Sequence, residues 1–320
     1  MSRTEQTALR PPCLSRQMSI VTPLPRPALG PIDIVMGISV ALLWGMGLVF
    51  AKAAIAHFPP ILLMALRFTV TAMALVWFVK PPMAHLRSLF LIAFISAALQ
   101  YSLTYTGLKG LDAGVAALIV QLEVPFLTLL GAFALKESPG WRKWAGIALA
   151  FFGVYQISGE PSIAAASTSV LLVIAGAATW AVGQAMIRNL TDIDGLTVTA
   201  WVAIMAAPQL FVMSALVETD HLAAIQSADW VVWGAVLYLG LVMTALGYGL
   251  WYTLVRRNPV SQVAPFLLLL PVFTVIGGAI FLGESLGLQV MIGGAIVLAG
   301  VGLILFERKQ KAHKAMDQAS

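Results

Sequence analysis

Long apolar stretches alternate with short polar ones along the whole chain. Apolar windows fall at 32–51, 60–79, 88–108, 113–135, 144–158, 169–187, 196–217, 231–255, 261–282 and 287–306. About 20 apolar residues carry a helix across a bilayer, so the pattern predicts an all-α integral membrane protein with ten transmembrane helices. The fifth window is short and spans only if it begins at Trp141 and tilts. The flanks differ from the rest. Residues 1–30 hold several prolines and four arginines without a long apolar run, and 307–320 form a basic tail. Both read as cytoplasmic tails, the first of them disordered and lacking the apolar core of a secretory signal.

The windows also repeat. Tyr101 and Tyr105 recur as Tyr248 and Tyr252, 147 residues later, as do Gly146 as Gly293, Gly153 as Gly300 and Lys109 as Arg256. Trp44 and Lys52 recur as Trp180 and Arg188 at an offset of 136. Residues 31–158 and 169–306 are therefore two copies of a five-span unit. A duplicated unit with an odd number of spans must insert its second copy inverted, an architecture that in transporters places the substrate site between the halves.

Composition narrows the class. The chain is 60% hydrophobic and 10% charged, with a mean hydropathy of +0.91, which excludes an ordinary soluble domain. The net charge of +5 does not point to nucleic acid, because the basic residues lie between apolar windows. With the N-terminus inside, all nineteen Lys and Arg residues except Lys52, Lys109 and Arg67 fall on the cytoplasmic side. Glu160, Glu218, Asp220, Asp229 and Glu284 fall outside. This predicts an inner (plasma) membrane protein with both termini cytoplasmic. Trp77, Trp141, Trp144, Trp201, Trp230 and Trp233 lie near span ends, as interfacial anchors do.

Candidate chemistry sits at depth. Tyr101 and Tyr105 are one turn apart in span 3, beside Gln100, and share a face. Span 8 repeats this with Tyr248 and Tyr252, next to Trp251. A phenol in hydrocarbon needs a hydrogen-bond partner, so these residues form the walls of a central cavity or join helices by packing. Trp44 and Trp180, each followed by a glycine-containing turn, are substrate platforms or bulky packing against a close backbone. Gln121 and Gln184 are substrate contacts or inter-helix links.

Arg67 and Glu123 stand apart, since ionisable groups within a span are costly and mark function by default. Arg67 is permanently cationic and matches a carboxylate bidentately. Glu123 is suited to proton coupling or to pairing with Arg67. Pro125 and Pro271 each remove a backbone hydrogen bond near the same point of their repeats, as hinges or as tolerated kinks. Glu137 and Glu284 precede spans 5 and 10, which predicts that they cap those helices. The glycine pairs 146/153 and 293/300 mark faces for close packing, between the halves or between protomers.

No P-loop, HExxH, GxSxG or His/Cys cluster is present, so neither an enzyme, a metal site nor a bound cofactor is predicted. The implied partners are a small-molecule substrate, the lipid bilayer and a proton gradient, with no nucleic acid.

The segments WGMGLVFAKAAI at 44–55, PPILLMALRF at 59–68 and AGVAALIVQLEVPFLTLLGAFALKES at 113–138 resemble the EamA family of the drug/metabolite transporter superfamily. YGLWYTLVRR at 248–257 and PVFTVIGGAIFLGESLGLQVMIGGAIVLAGV at 271–301 extend the resemblance through the second repeat. It implies a secondary active exporter of small metabolites such as O-acetylserine and cysteine, working by alternating access. Spans 1, 3, 4, 6, 8 and 9 then line a central cavity, and spans 5 and 10 support it. Glu123 departs from the family pattern, which carries an uncharged residue such as glutamine there. The superfamily also holds exchangers of nucleotide sugars or organophosphates, whose substrates call for several cavity cations, and facilitative uniporters.

Overall fold

The computed structural model describes residues 29–133, 139–190, 192–258 and 260–306. The tails, apart from residues 29 and 30, and Glu137 lie outside the described residues. No strand occurs among the described residues. Hydrocarbon supplies no partner for backbone N–H and C=O groups, so each crossing segment closes its own hydrogen bonds as a helix.

Nine helices among the described residues are long and apolar enough to cross a membrane: α1 (Pro31–Ile55), α2 (Pro60–Phe78), α3 (Met83–Lys109), α4 (Ala113–Phe133), α6 (Ser167–Ile187), α7 (Gly195–Val217), α8 (Trp230–Arg257), α9 (Ala264–Leu282) and α10 (Leu288–Leu305). Between α4 and α6 lies α5 (Trp141–Ser158), whose first turn holds Arg142 and Lys143. It is the short fifth window, starting at Trp141.

The glycine faces join the halves to each other. A Cβ on Gly146 would stand 2.6 Å from the Gly300 carbonyl oxygen, and one on Gly153 would stand 2.7 Å from that of Gly293. Only hydrogen fits, so α5 and α10 meet backbone to backbone. Gly146 meets the repeat-equivalent of Gly153, and Gly153 meets the repeat-equivalent of Gly146. That reciprocity is the signature of a two-fold axis between antiparallel partners, as inverted repeats require.

The same symmetry governs the inner helices. Gly47 of α1 faces Met243 of α8, and its repeat partner Gly183 of α6 faces Ser96 of α3. Both α3 and α8 carry a π-helical stretch, Phe94–Leu99 and Tyr238–Leu246, just before the tyrosine pairs. Such stretches occur frequently at functional sites. The helices that carry Pro125 and Pro271 are also irregular, whereas α7 runs unbroken through Pro208. In α4 the helix breaks at Gln121 and Leu122, and Gln121 is the residue whose carbonyl Pro125 cannot serve. In α9 a 3₁₀ turn covers Ala264–Leu268, ahead of Pro271.

The capping expectation for Glu284 needs correction. Gly283, at φ 67°, makes the left-handed turn that ends α9 and turns Glu284 back toward α4. Its carboxylate accepts from the backbone N–H groups of Ala113 at 2.7 Å and Gly114 at 3.3 Å. It therefore caps α4, across the repeat boundary, while α10 starts without a side-chain cap. The sequence placed Glu284 beside α10, but the fold brings the unsatisfied donors of α4 closer.

At the same end Glu218, after α7, accepts from the N–H groups of Ile61 at 2.8 Å and Leu62 at 3.0 Å and so caps α2. Lys52 of α1 donates to the Leu108 and Lys109 carbonyls at the C-terminus of α3, at 3.1 and 3.0 Å. At the opposite end His85 meets Asp192 at 2.7 Å and the Trp201 indole donates to the Lys80 carbonyl at 3.2 Å. Asp194 accepts from the Thr197 N–H and hydroxyl, and the Thr197 hydroxyl holds its carboxyl below the usual range.

Candidate functional site

Arg67 lies two turns into α2 and is fully buried. Its guanidinium donates from Nε and Nη2 to Thr244 Oγ1 at 3.1 and 3.0 Å, from Nη1 to Tyr105 Oη at 3.3 Å, and from Nη2 to Tyr101 Oη at 3.5 Å. It also lies over the Tyr101 ring at 4.6 Å and the Phe68 ring at 5.3 Å. Removing a cation from water costs several kcal/mol. The π faces and hydroxyl dipoles offset part of that cost, each hydrogen bond to a charged group contributing about 1.5–3 kcal/mol.

No carboxylate is among these partners, and no Arg67–Glu123 salt bridge occurs among the described residues. The pairing alternative is thereby corrected. Glu123 sits just after the α4 break and is partly exposed. The π-helical stretch of α8 brings Thr244 to Arg67 first.

The second tyrosine pair has a different setting. Trp44 of α1 donates from Nε1 to the Met243 carbonyl at 3.1 Å, with its ring 5.0 Å from Tyr248 and 5.9 Å from Trp251. The indole fits because Gly247 lies beneath it, where a Cβ would come within 2.5 Å of Nε1. Tyr248 and Tyr252 lie 5.9 Å apart, and the Tyr252 hydroxyl meets that of Thr199 at 3.2 Å. Trp44 bonds to Met243 and Arg67 to Thr244, consecutive residues of α8, so the two clusters adjoin.

Gln100 is buried and donates from Nε2 to Thr104 at 3.1 Å, while its Oε1 has no partner. Gln121 is buried at the α4 break. Trp180 and Gln184 are half-buried on α6, and no hydrogen bond or ring contact joins them to Arg67 or the tyrosines. Thr244 and Phe68 were missed in the sequence. A threonine in an apolar span carries no signal of its own, and the π-helical stretch that aims it has no local signature. At the Lys52 end a recess of about 980 Å³ opens, lined among others by His57, Thr106, Lys109 and Asp220 and by neither Arg67 nor the tyrosines.

Paired inverted halves around buried polar and aromatic groups are the architecture of a multi-span membrane transporter. The profile of the EamA-like transporter family matches residues 32–159 and 167–306, and the chain belongs to that family. It is 31% identical over 281 residues to a Salmonella typhimurium protein named "Probable amino-acid metabolite efflux pump", covering 85% of this chain and 94% of that one. The Escherichia coli protein of the same name is 30% identical, with 86% and 95% covered. A "Probable terminal-alkyne amino-acid exporter" of Streptantibioticus cattleyicolor is 30% identical over 60% of this chain and 64% of that one. A solved structure titled "Crystal structure of protein" has a TM-score of 0.59 and 19% identity, covering 85% of this chain and 96% of that one, a likeness of fold alone.

Proposed function

We propose that the chain is a secondary active exporter of small metabolites, chiefly amino acids and derivatives such as O-acetylserine and cysteine. It works by alternating access and proton antiport in the inner membrane, with both termini cytoplasmic. The observation that carries this reading is the buried Arg67, a permanent cation served by hydroxyls and aromatic faces with no carboxylate partner among the described residues. Such a group suits the carboxylate of a substrate. The names of the relatives supply the amino-acid class, and the Lys/Arg distribution supports the orientation. Trp44, Tyr101, Tyr248 and Trp251 then enclose the substrate body. Pro125 and Pro271, beside the irregular turns of α4 and α9, act as hinges. Glu123 carries the proton.

Proteoliposomes with an imposed pH gradient, loaded in turn with labelled O-acetylserine, cysteine, threonine and a nucleotide sugar, test the substrate class. Amino-acid flux driven by the gradient is expected, and movement of the nucleotide sugar alone refutes the assignment. Glu123→Gln is expected to flatten the pH dependence of that flux. An unchanged rate with an unchanged pH profile removes the coupling role from Glu123.

A further inference from the structure

The Nε and Nη2 edge of arginine is a fork that matches the two oxygens of a carboxylate. In Arg67 both nitrogens converge on the single neutral oxygen of Thr244, at 3.1 and 3.0 Å. Thr244 is fixed as an acceptor, because its own proton goes to the Leu239 carbonyl at 2.7 Å, five residues back in the π-helical stretch. The other polar partners of Arg67 are Tyr101, Tyr105 and Met64, all from the first repeat. Among the described residues, Thr244 is the one side chain of the second repeat that hydrogen-bonds to the guanidinium. A second link between the same helices bypasses it: Thr71 Oγ1 of α2 donates to the Gly240 carbonyl of α8 at 3.0 Å.

We propose that Thr244 is a placeholder for the substrate's carboxylate, holding the Arg67 fork until that carboxylate displaces it. The exchange replaces one neutral oxygen with two charged ones, so a carboxylate drives it and an uncharged amide does not. Displacement also breaks the side-chain bond between Arg67 and the second repeat. Loading the site thereby leaves Thr71–Gly240 as the remaining side-chain hydrogen bond between α2 and α8 among the described residues, and Thr244 ties substrate choice to the loosening of that seam. The inference rests on the reading of the chain as an amino-acid carrier.

Reconstituted wild type, Thr244→Val, Thr244→Ser and Thr71→Val are compared for KM toward a labelled amino acid and toward its carboxamide. Thr244→Val removes the competitor and is expected to lower KM for the acid by about fivefold to tenfold, with no gain for the amide. Thr244→Ser keeps the oxygen and the wild-type KM, and Thr71→Val leaves KM unchanged. Thr244→Ala gives the same readout should the valine variant fail to purify as a monodisperse protein. A wild type that prefers the acid, with a Thr244→Val KM at or above its own or with an equal gain for the amide, overturns the placeholder alone. A wild type that moves acid and amide equally overturns the carboxylate site itself.

Discussion

At the α5–α10 contact each half presents to the other the surface that it receives. Gly146 meets Gly300, Gly153 meets Gly293, and a side chain fits at none of the four. Around Arg67 the halves differ. The first repeat supplies the cation on α2 and two tyrosines on α3, whereas α7, the second-repeat counterpart of α2, has no charged residue between Gly195 and Val217. Of the equivalents of Tyr101 and Tyr105, Tyr248 packs against Trp44 and Tyr252, and Tyr252 meets Thr199. Packing at the contact is judged by shape, which a duplication copies for both partners at once. A binding site is judged by charge, and a second buried arginine would face the first in hydrocarbon.

The largest expected effect comes from removing that asymmetry. Arg67→Met should abolish amino-acid flux, a loss of at least about a hundredfold in kcat/KM, with folded yield near wild type because Met replaces a buried charge by apolar volume. Arg67→Lys retains the charge without the fork and should lose about tenfold. Flux in liposomes and gel filtration check both, and a fully active Arg67→Met would make the site as symmetrical as the α5–α10 contact.

The symmetry of that contact is tested by Gly153→Val and Gly300→Val, which the repeat relates. The added Cβ atoms meet the facing glycine's carbonyl oxygen at 2.7 Å in both cases. Each should cost about 1–3 kcal/mol of stability, by equal amounts, in thermal unfolding followed by tryptophan fluorescence. Flux per folded molecule should hold, and unequal costs would break the symmetry.

The smallest effects compare the tyrosines. Tyr105→Phe loses a hydrogen bond from a cation at 3.3 Å and should raise KM by about threefold to tenfold. Tyr252→Phe loses a neutral bond to Thr199 and should change KM by less than about twofold. Equal effects in the flux assay would mean that both pairs contact substrate alike.

The ten apolar windows and their duplication were legible in the sequence. Hydrophobicity is a local property, and a bilayer forces each apolar run into a helix. The glycine faces were legible too, since spacing alone puts Gly146 and Gly153 on one side of a helix. Partners were not legible. Arg67 passes over Glu123 for Thr244, 177 residues away, and Glu284 caps α4 rather than the neighbouring α10. Hydrogen bonds go to whichever complementary group the folded helices bring within about 3 Å. That proximity depends on crossing geometry and on the π-helical stretch that aims Thr244. The sequence by itself therefore determined which segments span, and in what repeated order. Tertiary structure decided which polar groups meet, because only the packed halves bring distant residues within bonding distance.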